Sequence, residues 1–205
     1  MQKFRFYSIF LILFFIFVPL SVIASARMSK QLDHGRALVD DVAFQVLEII
    51  NTPGLTDSQV KQKFRELIIA KFAVDPIIKF VLGKHNQTMT PEQKEVFVRC
   101  FKNMLVGAYA SNFKDYKSAK FRIVSIKKKT DTLLQVTGKI SDQGKADILM
   151  IWEVAIVDEQ YKIRDISVDG VSILQILRAQ TQASISEKGL KSFLLNYKER
   201  YWELL

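Results

Sequence analysis

Few residues in this chain have the type and spacing to make or break bonds. His34 stands near the start of a helical pattern and His85 in a polar stretch after Gly83, so neither shares an apolar cleft with a carboxylate partner. Cys100, the only cysteine, sits between apolar neighbours in a helical pattern with no Cys-x-x-Cys mate; it reads as a buried, inert thiol, and no disulfide framework exists. No Gly-x-Ser-x-Gly elbow, His-Glu-x-x-His pair, phosphate-binding glycine loop or metal-ligand cluster occurs. No catalytic residue, metal or cofactor is expected. What the chain has in quantity is apolar side chains, whose one chemistry is the exclusion of water. The clearest line is Phe97, Phe101, Leu105 and Tyr109, spaced i, i+4 on one helical face. Such a line either fills a core or walls a pocket, and periodicity does not separate the two.

The compartment narrows the ligand chemistry. Met1 to Phe6 carry Lys3 and Arg5 without an acid and run into an apolar stretch from Ile9 to Ile23 that ends at Ala24-Ser25-Ala26. Basic, then apolar, then small-x-small is the pattern of a secretory signal peptide. That ending, with Pro19, favours cleavage after Ala26 over retention as an anchor. The expected organisation is a signal peptide at 1–26 and a single domain at 27–205, large enough to fold without staples. The 205 residues include 30 Lys and Arg against 21 Asp and Glu, a net charge of +9, and the chain stays basic without Lys3 and Arg5. A basic exported protein meets anionic lipid head groups and membrane surfaces rather than nucleic acid. Lys127-Lys128-Lys129 reads as a solvated turn between two strands.

The elements that position the apolar residues come in three blocks. Leu38, Val42, Val46 and Ile49 recur at helical spacing between Lys30 and Ile50, and Asn51-Thr52-Pro53-Gly54 supplies the stop. Thr56 and Gln59 form a capping-box pattern ahead of Val60, Phe64, Leu67 and Ile68. Asp75-Pro76 predicts a cap and an N1 proline before a short apolar helix that Gly83 ends, and Thr90-Pro91-Glu92-Gln93 opens the long helix of the phenylalanine line. Period-two alternation then takes over. It predicts strands around 121–126 and 134–140, along 145–158 with Met150, Trp152 and Val154 on one face, and from Tyr161 to Val168 with Ile163 among its apolar positions. After Gly170 helical spacing returns through Ile173, Leu174 and Leu177, and again beyond Gly189.

Helices on both sides of an antiparallel meander predict an α+β domain: a four-stranded curved sheet covered by N- and C-terminal helices, with aliphatic and aromatic side chains turned inward.

Three stretches carry a family resemblance. Val81-Leu82-Gly83-Lys84, followed by Thr90-Pro91-Glu92-Gln93-Lys94, Phe97, Phe101 and Tyr109-Ala110, is the first. The second and most specific runs from Tyr161 through Lys162-Ile163-Arg164-Asp165 to Asp169-Gly170-Val171-Ser172; the third is Arg178-Ala179-Gln180 with Gly189-Leu190. Together they resemble the MlaC family, also called the toluene-tolerance auxiliary component, a periplasmic phospholipid-binding part of the Mla lipid-transport system. Tyr161, Asp169 and Thr181 depart from the family's usual Trp, Glu and Phe.

The resemblance implies an NTF2-like fold with an apolar pocket between sheet and helices that takes acyl tails, the bound phospholipid being cargo. It also implies two partners: a lipoprotein–porin complex at the outer membrane, and an inner-membrane ABC transporter complex with an MCE-domain subunit. The expected lining from the long helix is Phe97, Phe101, Leu105 and Tyr109. Opposite it are expected Met150, Trp152, Val154 and Ile163 from the sheet, and Ile173 and Leu177 from the following helix. Ser172 suits a helix N-cap, and Asp165 a strand-end acceptor. Two other classes stay open: an NTF2-like isomerase or hydratase, and a periplasmic chaperone or adaptor that buries peptide in the same groove.

Overall fold

The computed structural model describes residues 20–112 and 118–203, with side chains described for 27–108 and 118–203. Of the expected signal peptide, residues 1–19 lie outside the described ones, and 20–26 form the first turns of helix α1 (Leu20–Asn51). Helices α2 (Asp57–Lys71), α3 (Val74–Leu82), α4 (His85–Thr88) and α5 (Pro91–Asn112) follow. Five strands come next: β1 (Lys120–Thr130), β2 (Leu133–Ser141), β3 (Ile148–Val157), β4 (Gln160–Val168) and β5 (Val171–Ser172). The chain then runs through α6 (Ile173–Tyr201).

Local chemistry explains most boundaries. The Thr56 backbone N–H donates to Gln59 Oε1 at 2.8 Å while Gln59 N–H donates back to Thr56 Oγ1 at 3.3 Å, and Thr90 and Gln93 repeat the exchange ahead of α5. These boxes satisfy backbone donors that a helix start leaves unpaired. Pro76 is not the first residue of α3 as expected. Ala73 N–H donates to Ile163 O at 2.8 Å and Phe72 bridges Ile163, so the chain is held against β4 until Ala73 and the helix starts at Val74. His85, expected in a loop, begins the short α4.

The sheet is antiparallel in the order β1-β2-β3-β4-β5. Its five strands correct the expected four: the Asp169-Gly170 turn, with both φ angles positive, lets Val171 and Ser172 pair back onto β4. Lys127, Lys128 and Lys129 lie within β1 rather than in a turn. β1 is an edge strand, where lysines deter pairing with another chain. Register breaks at Ile123/Ser125 and Lys128/Thr130 in β1 and Glu153/Val154 in β3 add twist and curve the sheet.

Cross-strand register puts Phe121, Val136, Met150, Trp152, Val154 and Ile163 on one face. Helix α1 lies over that face with buried Val39, Val42 and Ala43, while α2, α3 and α6 reach β4. Helix α5 makes its main contacts with α2 and α6. No helix among the described residues is long and apolar enough to cross a membrane.

Candidate functional site: an apolar interior with two small cavities

The expected lining residues divide into three groups. Met150 and Trp152 wall an apolar cavity of about 40 Å³ between α1 and the sheet, facing Val46 and Leu47 with Phe121 and Ile140 beside them. Leu105, Ile173 and Leu177 wall a second cavity of about 30 Å³, with Phe72, Ile77 and Ile166. Trp152 and Ile166 are cross-strand partners, so the two cavities lie on either side of one residue pair. Val154 and Ile163, also paired across strands, are fully buried core.

Phe97 and Phe101 are fully buried and line neither cavity. Phe97 stacks on Phe101 at 5.5 Å, and on the far side it meets Tyr197 at 5.5 Å and Phe193 at 6.2 Å, both on α6. An i, i+4 line defines a helix face; at Phe97 it meets α6, and at Leu105 it reaches the second cavity. The Tyr109 side chain lies outside the described ones.

The cavity between α1 and the sheet owes its shape to a glycine. A Cβ on Gly138 would come within 2.3 Å of the Phe121 ring, so the tip of the ring lies over β2 where the side chain of any other residue would stand. From there it meets Trp152 edge-on at 6.0 Å. The Trp152 indole N–H is buried and has no acceptor among the described residues, in a wall that is otherwise apolar. Neither Gly138 nor this unpaired donor was singled out by periodicity.

Among the described residues the charged groups at the two cavities are Lys120 at the first and Arg164 and Asp165 at the second. Burial pushes the Cys100 thiol up, against the weaker pull of Arg99 and Lys198, so it stays protonated. Burial first, then Tyr201 and Cys100, raise the Tyr197 phenol far above its ordinary range. His34 is exposed, its ring stacked on Tyr161 at 5.0 Å and its Nδ1 2.6 Å from Lys30 O. No group of three His, Cys, Asp or Glu among the described residues could hold a metal ion.

Ser172 has the N-cap role expected, and Asp165 is an acceptor, though inside β4 rather than at its end. The Asp165 carboxylate accepts from Ile166 N–H at 2.8 Å, Leu174 N–H at 3.0 Å and the Ser172 hydroxyl at 2.5 Å. Ser172 Oγ in turn accepts from Gln175 N–H at 3.0 Å as the N-cap of α6.

The architecture is therefore that of an α+β domain whose curved antiparallel sheet and flanking helices enclose an apolar interior. The same fold occurs in a phospholipid-binding protein from Ralstonia solanacearum, solved in complex with a phospholipid. The two structures agree with a TM-score of 0.70 at 20% identity, over 82% of this chain and 97% of that one. The chain belongs to the MlaC protein family, whose model matches residues 40–198. A comparison with curated proteins finds no match.

Proposed function

We propose that this protein is a periplasmic phospholipid carrier and not an enzyme. The observation that carries the reading is its membership of the MlaC family, on a fold shared with a protein that holds a phospholipid. The two cavities, lined mostly by apolar side chains, support it. A diacyl phospholipid has on the order of 30 methylenes, and at about 0.8 kcal/mol each they hold it in a bilayer by roughly 25 kcal/mol. Free passage through water is excluded, so a carrier must offer a dry surface of comparable extent.

Each cavity is far below the roughly 300–1,000 Å³ of a ligand site. Tail binding therefore requires the two cavities to merge across the Trp152–Ile166 pair as α1 or α6 moves off the sheet, giving an NTF2-like cone. In this reading residues 1–26 are a cleaved export signal. The loaded protein moves between an outer-membrane lipoprotein–porin complex and an inner-membrane ABC transporter with an MCE-domain subunit.

The test is lipid uptake by delipidated protein from labelled phospholipid vesicles, in wild type and in Ala43→Met. Ala43 lines the cavity under α1, and the flexible thioether fills that space. The expected result is uptake by wild type and several-fold less by a folded Ala43→Met; a wild type that takes up no lipid overturns the reading.

A further inference from the structure

Gly189 breaks α6. Its φ of 75° and ψ of 155° are non-helical and strained for any residue with a side chain, so the helix folds into two limbs, 173–188 and 190–201. Between the limbs and α5 lies a solvent-open groove of about 500 Å³. Its lining mixes apolar and aromatic side chains, Met104, Leu177, Phe193 and Tyr197, with the polar Gln180, Thr181, Ser184 and Asn196. Lys188 on one limb and Arg200 on the other also line it, and no Asp or Glu does.

Two features make the groove more than a basic patch. Neither cation forms a salt bridge with a described residue; the Arg200 guanidinium rests over the Tyr201 ring at 5.4 Å. Leu177 lines both this groove and the cavity walled by Leu105 and Ile173, so the groove and the interior that would take hydrocarbon share one wall residue. A ligand that fits both must be an anion joined to an apolar tail.

We propose that the groove in the kink of α6 binds the phosphodiester of a phospholipid, with Lys188 and Arg200 as its two cationic contacts and Leu177 marking the entry of a tail into the interior. This rests on the carrier reading. Gly189 is then the residue that makes the head-group site, because a continuous helix would carry the 190–201 limb, with Arg200, away from Lys188.

The experiment uses delipidated full-length mature protein and radiolabelled lipid in dodecyl maltoside micelles, comparing phosphatidylglycerol with diacylglycerol of the same chains. Wild type is expected to favour phosphatidylglycerol by roughly tenfold or more, the size of one or two charge-assisted hydrogen bonds at a wet site, and less so as salt rises. In Lys188→Gln/Arg200→Gln, verified as folded by its thermal melt, the preference should be lost. Inorganic phosphate at millimolar concentration should not displace the lipid. A double variant that keeps the preference overturns the site, as does a wild type that binds both lipids equally. Tight binding of inorganic phosphate alone would assign the groove to a free anion and also overturn it. A wild type that binds neither lipid contradicts the carrier reading instead.

Discussion

Arg178 of α6 donates a guanidinium hydrogen bond to the backbone carbonyl of Phe80 in the last turns of α3 and stacks over the Phe80 ring at 4.7 Å. One turn on, Gln182 Nε2 donates to the carbonyls of Val81 and Leu82 at 2.8 and 2.9 Å. Helix ends leave such carbonyls unpaired, and here a second helix supplies the donors. Gly83 completes the joint: its φ is +53°, and a Cβ would stand 3.2 Å from the guanidinium.

Arg178→Ala removes a charge-assisted bond to a half-buried carbonyl and should lower stability by about 2–3 kcal/mol. Arg178→Lys should recover only part, since an ammonium lacks the planar fork. Denaturant midpoints check both; a loss within about 0.5 kcal/mol for Arg178→Ala would contradict the joint.

Asp165 ties β4 to the start of α6 through three donors. Asp165→Ala should cost about 2–3 kcal/mol and Ser172→Ala about 1 kcal/mol. Because Ser172 and Asp165 share a bond, the double variant should lose less than the two losses added together. Strict additivity in chemical denaturation would argue against the coupling.

The Asp41 carboxyl lies below the ordinary carboxylate value of 3.8, first because Lys71 donates to it and then because Gln45 does, at 2.6 and 2.9 Å. A depressed folded-state value means that the stabilisation is present above 3.8 and is lost as pH falls through the lower folded value. Both side chains are substantially exposed, so solvent screening limits the effect to about 0.5 kcal/mol. Asp41→Asn should be less stable than wild type by that amount at neutral pH, with the gap closing below pH 3.8; a gap that widens on acidification reverses the sign and contradicts the assignment.

Gly138→Ala cannot coexist with the Phe121 ring in its present place. The ring must leave the sheet face, breaking its edge contact with Trp152, at about 1–3 kcal/mol. Phe121→Leu in the Gly138→Ala background should relieve most of that loss. If thermal melts show Gly138→Ala at wild-type stability, the ring does not lie where described.

Much of this architecture was legible because strands and helices write different periods. The β2–β4 boundaries follow period two closely, and the Thr56 and Thr90 boxes mark their helices. The two-residue β5 is too short to have a period, and Lys127 to Lys129 look like a turn until β1 is known to be an edge. The phenylalanine line shows the limit of periodicity most clearly. It says that Phe97 and Phe101 share a face but not that the face meets Phe193 and Tyr197, since the choice of partner helix is a matter of tertiary packing. Likewise Arg178 and Gln180 stood out as a pair, whereas the side chain that joins Arg178 on α3 is Gln182, one helical turn away; Gln180 lines the groove instead.

The most direct test of the central claim is organic extraction of the protein as purified from bacterial cells without detergent, with lipids identified and counted by mass spectrometry. The account predicts stoichiometric phospholipid in folded protein. Folded protein that carries none, and acquires none after incubation with phospholipid vesicles, would contradict it.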